Sequence, residues 1–168
     1  MPKEYPKFTA AAVQTAPEYR DKPVYFDSEA TLHNCIARIK EAASNGATLV
    51  VFPELHLPGY CHFSIDLAKG PEYAGIWAEY LRHSIEVPSE ETDLLCEAAR
   101  QAKTNVVIGI NERDKKYNGR QYNSALYISR EGEILGVHRK INITVQELFI
   151  HTRGDGGDNL RIYDMDFG

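Results

Sequence analysis

Between residues 28 and 52 the spacing of apolar residues changes once, and that change restricts the fold more than any other feature. Ala30, Leu32, Cys35, Ile36, Ile39, Ala42 and Ala43 recur at steps of three and four, the period of an amphipathic helix. The spacing predicts a helix over 28–44, with Asp27 or Ser28 as its cap and Asn45-Gly46 as its stop. Residues 47–52 form an apolar run stopped by Pro53, which predicts a buried strand. An Ala/Val run over 8–14, closed by Thr15-Ala16-Pro17, predicts another before the helix. Strand, helix, strand at these lengths make a βαβ unit, with parallel strands and a right-handed crossover.

The rest of the chain supports an α/β fold with a mixed sheet. Residues 72–84 predict a helix with Trp77 and Tyr80 among its apolar residues, broken by Pro88. Ser89-Glu90-Glu91-Thr92 opens another, its acids in the first turn where the helix dipole favours them. Its buried face is expected to hold Leu94, Leu95, Ala98, Ala99 and Ala102. Residues 105–110 read as a strand continuing toward Glu112. Asn118-Gly119 turns it into 122–129, and Glu131-Gly132 turns that into 134–138. These read as an antiparallel meander. A tight loop over 153–158 is expected to lead into a strand over 161–163. With no repeat and no linker, residues 1–168 are expected to form one domain.

Charge and composition exclude several classes. There are 24 acidic and 19 basic residues, a net charge of -5, a balance that argues against a nucleic-acid binder, which would normally show a basic face. No apolar stretch approaches the roughly 20 residues of a membrane span. The polar start, residues 1–7, lacks the apolar core of a signal peptide, so the expected setting is cytoplasmic. Cys35, Cys61 and Cys96 are odd in number and widely spaced, which argues against a disulfide framework. His56 and His62 are too few to make a convincing metal site, and no metal is expected.

Three residues are candidates for chemistry. Glu54 directly follows Val50-Val51-Phe52-Pro53, at the end of a strand where α/β sheets place ligand sites. Partial desolvation there would suit a general base. The alternative is an ordinary surface glutamate. Lys140 ends the strand over 134–138, and a fixed cation there could stabilise developing negative charge; the alternative is a solvated lysine. Glu147, seven residues on, could neutralise and hold that lysine, or be a plain helix-surface acid. Three other patterns are weaker. Arg153-Gly154-Asp155-Gly156-Gly157-Asp158 lacks the Lys-Ser/Thr ending of a phosphate loop. Cys61 beside His62 is the one loop cysteine, and a Cys–His pair can be nucleophilic, although neighbours in sequence rarely face each other. No G-x-S-x-G is present.

Taken together, the segments resemble the nitrilase, or carbon–nitrogen hydrolase, family. Ala12-Val13-Gln14 resembles its first strand, Phe52-Pro53-Glu54 its catalytic-glutamate segment, His138-Arg139-Lys140 its lysine segment, and Thr144-Val145-Gln146-Glu147 its second glutamate. Asp164-Met165-Asp166-Phe167-Gly168 looks like the approach to its cysteine strand. Pro58-Gly59-Tyr60, Ser84-Ile85-Glu86-Val87-Pro88, Gly109-Ile110-Asn111-Glu112-Arg113 and Arg153-Gly154-Asp155-Gly156 look most like the true-nitrilase branch. Ile143 stands where the family usually has proline. The resemblance implies an αββα sandwich, incomplete here, and a Glu-Lys-Cys site that uses no cofactor. It also implies a small nitrile as substrate and homo-oligomers that can extend into spirals. Glu54, Lys140 and Glu147 would be its catalytic residues, and the cysteine would lie beyond Gly168. An amidase or N-carbamoyl hydrolase of the same superfamily, or a non-catalytic truncated relative, are the other readings.

Overall fold

The structure, a computed structural model, describes residues 6–20, 26–61, 72–157 and 159–168. Five strands form one sheet in sequence order: β1 (Ala10–Ala12), β2 (Leu49–Val51), β3 (Asn105–Arg113), β4 (Gln121–Ile128) and β5 (Ile134–Arg139). β1, β2 and β3 run parallel, and β3, β4 and β5 antiparallel. The sheet is therefore mixed, as expected, and β3 is where the strand direction switches.

Helix α1 (Ser28–Ser44) makes the crossover between β1 and β2. Asp27 caps it by accepting from Ala30 N at 3.1 Å. Helix α2 spans Glu72–Arg82 and α3 spans Glu90–Ala102. Ser89 and Thr92 close a reciprocal capping box at the start of α3. Buried side chains of α1 and α3, among them Cys35, Ile39, Leu95 and Ala99, pack with Val50, Val106, Ile108, Ile110, Leu126 and Ile128 of the sheet. That interface is the main core. The opposite face presents Val51, Val107, Ala125 and Tyr127, all half-buried.

Two expectations fail, at Leu94 and over residues 161–163. Leu94 is 48% exposed, because α3 turns Leu95, Ala98 and Ala99 to the core and leaves its neighbour outside. Trp77 is likewise exposed, while Tyr80 on the same helix is fully buried and donates to Gly59 O at 3.1 Å. Residues 161–163 form no strand. A strand exists by pairing, and among the described residues none lies alongside them. Ile162 is 96% exposed, and Tyr163 instead packs its ring 5.0 Å from Tyr127. Among the described residues, no helix is long and apolar enough to cross a membrane.

Candidate active site

β2 ends at Val51, and the chain does not stop pairing there; it detours. Leu57 rejoins the edge of β3, its N–H donating to Gly109 O at 3.1 Å and its carbonyl accepting from Asn111 N at 2.8 Å. Residues 53–55 pass over β3 at Gly109. A Cβ there would meet Pro53 O at 2.2 Å and Glu54 Cα at 2.7 Å, so only glycine leaves room. Leu55 takes a left-handed φ of 49°, a conformation disfavoured for a side-chain-bearing residue. Its side chain is fully buried with Phe26, Cys61, Ile76, Tyr80 and Ile150. Burial of Leu55 thus holds a backbone turn that aims Glu54 across the sheet.

The lysine arrives from the other side. β5 ends at Arg139, and Lys140 follows, its N–H donating to Asn123 O at 2.7 Å. Arg139 and Lys140 point to opposite faces. Arg139 pairs with Glu112 at 2.9 Å and lies over the Tyr122 ring on the helix side. Lys140 Nζ lies 2.7 Å from Glu54 Oε1 and 2.8 Å from Glu147 Oε2. Glu147 sits on a short 3-10 helix, Gln146–Phe149, with its side chain fully buried. Ile150 belongs to the same apolar cluster as Leu55, so one small core anchors both carboxylate-bearing segments.

Residues outside the expected three complete the arrangement. Asn123 Nδ2 donates to Glu54 Oε1 and to Glu147 Oε1, each at 2.6 Å. Thr144 donates to Glu147 Oε2 from its N–H at 3.2 Å and also from its hydroxyl. Burial alone would raise the Glu147 pKa, but the donors Lys140, Thr144 and Asn123 outweigh it and bring it to about 2. Burial likewise opposes the charge on Lys140, yet its two carboxylate partners hold its pKa above the ordinary lysine value. His151 is buried beside them. Its Nε2 lies 2.9 Å from Asn111 Oδ1, and its Nδ1 faces Glu147 Oε1 at 3.5 Å, too far for a good hydrogen bond. Desolvation, only partly offset by Glu147, lowers its pKa to about 4.

Glu54, Lys140 and Asn123 line an open cavity of about 480 Å³ with Pro53, Gly109, Ala125 and His138. Glu54 keeps 49% of its side chain exposed, the rest being covered by the site. Lys140 is more enclosed, and Glu147 is no surface acid. Cys61 is buried, and desolvation pushes its thiol up to about 12. Cys35 is buried in the main core and Cys96 is part-buried on α3. His62, Asp158 and residues 1–5 lie outside the described residues. The site therefore offers a carboxylate open to a ligand, a cation fixed beside it, and a buried carboxylate that fixes the cation.

A family model described as carbon-nitrogen hydrolase matches residues 9–168. The chain belongs to the carbon-nitrogen hydrolase family. Among relatives in that family, a protein named nitrilase 2 from an unknown prokaryotic organism is 37% identical over 165 residues, covering 98% of this chain and 50% of the relative. An aliphatic nitrilase from Sinorhizobium fredii is 40% identical over 154 residues, covering 89% of this chain and 47% of the relative. The chain thus spans about half the length of the curated relatives it matches. A carbon-nitrogen hydrolase structure from Helicobacter pylori G27 superposes with a TM-score of 0.61 at 23% identity, over 88% of this chain and 45% of that one. An amidase from Nesterenkonia sp. gives 0.60 at 18% identity, over 87% and 48%. Those two likenesses show that the helix-backed mixed sheet has the fold of carbon-nitrogen hydrolase structures.

Proposed function

We propose that the chain is part of a nitrilase that converts a small nitrile to a carboxylic acid and ammonia. Glu54, Lys140 and Glu147 are its acid–base and electrostatic groups, and a cysteine beyond Gly168 is its nucleophile. The observation that carries this reading is the meeting of Glu54, Lys140 and Glu147 at 2.7 and 2.8 Å. Relatives named as nitrilases at 34 to 40% identity add support for the substrate class. The cysteines within the chain do not suit the role, since Cys61 and Cys35 are buried with thiols pushed to about 12 and a nucleophilic cysteine needs ready thiolate formation.

The steps follow from the groups. Glu54 takes the thiol proton as sulfur adds to the nitrile carbon, and that proton passes to nitrogen, giving a thioimidate beside Lys140. Water adds to the same carbon, the C–N bond breaks, and ammonia leaves a thioester. A second water, deprotonated by Glu54, releases the acid and restores the thiol. Two waters are consumed and one ammonia released per nitrile. Lys140 stabilises charge that develops on the substrate, and Glu147 keeps the ammonium in place. Assembly into homo-oligomers and a cytoplasmic setting belong to the same reading.

The test is ammonia release by the intact protein from a panel of nitriles and their amides, with Glu54→Gln alongside. Release from nitriles that vanishes in the variant is expected. Release from amides alone would move the assignment to an amidase or N-carbamoyl hydrolase. Release from neither would favour a non-catalytic role.

A further inference from the structure

Asn159 lies outside the cavity and is 7% exposed. Its side-chain amide meets both backbone groups of Arg139. Nδ2 donates to Arg139 O at 2.7 Å, and Oδ1 accepts from Arg139 N. Its own carbonyl accepts from His138 Nδ1, 2.9 Å away. Each contact has one chemically sensible direction, because a backbone N–H only donates and a carbonyl only accepts. The amide is therefore oriented by the backbone it binds, and the His138 proton on this side must sit on Nδ1.

The location gives the contacts their meaning. β5 is an outer strand of the sheet, and an outer strand has backbone groups with no neighbouring strand to meet. The Asn159 amide supplies a donor and an acceptor where such a neighbour would. One residue later, Gly154 N donates to Lys140 O at 3.0 Å, while Lys140 N donates to Asn123 O at 2.7 Å. A Cβ on Gly154 would meet Arg139 O at 2.3 Å, so the returning segment is pressed against the end of β5. The lysine stem is flexible, and the place where its ammonium settles depends on where its backbone is anchored.

We propose that Asn159 is a positioning residue for the Lys140 ammonium, standing in for a neighbouring strand at Arg139 so that the lysine leaves the sheet at one fixed point. Its catalytic consequence rests on the nitrilase reading above; its effect on the ammonium does not. Loss of the amide frees the end of β5, lets Lys140 drift from Glu54 and Glu147, and weakens the pairing that holds its proton. A misplacement of about 1 Å in a reacting group can cost about a hundredfold in rate.

The experiment measures the ammonium directly. Lysines of the intact protein are competitively acetylated with acetic anhydride across alkaline pH and quantified by peptide mass spectrometry, for wild type, Asn159→Ala and Asn159→Ser. Serine keeps a hydrogen-bonding group of shorter reach and guards against a variant that does not fold. The expected result is a lower titration midpoint for Lys140 and labelling at least about threefold faster near pH 9. Other lysines should be unchanged and the melting cooperative. The kcat for nitrile should fall about ten- to a hundredfold with KM within about twofold, and the alkaline limb of the rate profile should move to lower pH. An unchanged Lys140 midpoint in a folded variant overturns the proposal. A wild-type protein that releases no ammonia, with the Lys140 shift still present in the variants, overturns the reaction and leaves the positioning standing.

Discussion

Lys140 Nζ lies 2.8 Å from Oε2 of Glu147, and of the two side chains only the lysine reaches solvent, at 28% exposure against 0%. The buried partner holds the exposed one, which leaves Glu54 as the carboxylate free to turn toward a ligand. This inequality separates the effects of otherwise similar substitutions.

Glu54→Gln should lower kcat of the intact protein by about a thousandfold or more, since it removes the proposed base. It should change the melting temperature little, because the side chain is half-exposed. Lys140→Ala should abolish turnover and also cost about 3 kcal/mol, because it strands a buried charge. Steady-state kinetics paired with urea unfolding separates the two. A Glu54→Gln enzyme that keeps most of its kcat removes Glu54 from the mechanism.

Asn123→Ala deletes an amide that donates to both carboxylates. The expected cost is about 1 to 3 kcal/mol in stability. Turnover should fall at least about tenfold as Glu54 loses its orientation. A variant with wild-type kcat would show that Lys140 alone orients Glu54.

Gly109→Ala and Gly75→Ala form a matched pair. The first forces a methyl into the backbone at Pro53 and Glu54, whereas the second meets nothing within 4 Å. Gly109→Ala should destabilise by about 2 to 3 kcal/mol and lower activity. Gly75→Ala, on α2, should gain about 0.5 to 1 kcal/mol. Thermal melts of both decide it, and equal melting temperatures would contradict the close passage over β3.

His151 predicts a pH dependence. In the fold it binds its proton only near pH 4, against an ordinary 6.5. Between those values the unfolded chain holds more protons, so this contribution to stability is complete above pH 6.5 and lost as pH falls toward 4. The loss is roughly 3 kcal/mol. His151→Gln should flatten that decline relative to wild type. Urea midpoints at pH 7, 5.5 and 4.5 read it, and parallel declines in the two proteins would assign the effect elsewhere.

The sequence announces some of these features and conceals others for physical reasons. Helix α1 is found at residues 28–44 as read, because its period, the Asp27 cap and the Asn45-Gly46 stop agree. The meander is legible from its glycine turns. The three expected side chains converge: Glu54 and Lys140 each follow an apolar strand, and Glu147 meets them from a short 3-10 helix. Asn123 was missed because a polar residue within a strand resembles any solvent-facing position, and only its burial between two carboxylates reveals it. Thr144, His151 and Asn159 depend on how a loop folds back, which no local pattern encodes. The strand expected over 161–163 is absent because strand formation depends on a partner that the local sequence does not supply.

The detour over Gly109 also sets a scale of reach. Neighbouring strands stand about 4.8 Å apart, so the axes of β2 and β5 are separated by about 14 Å. By carrying Glu54 Cα above β3, the chain reduces that span to two strand spacings, about 10 Å, which two long side chains can bridge. Little slack remains at a 2.7 Å contact. An aspartate at position 54 would keep the charge but draw the carboxylate back by one carbon–carbon bond, about 1.5 Å, beyond hydrogen-bonding range of Lys140. In this fold, side-chain length matters as much as side-chain charge.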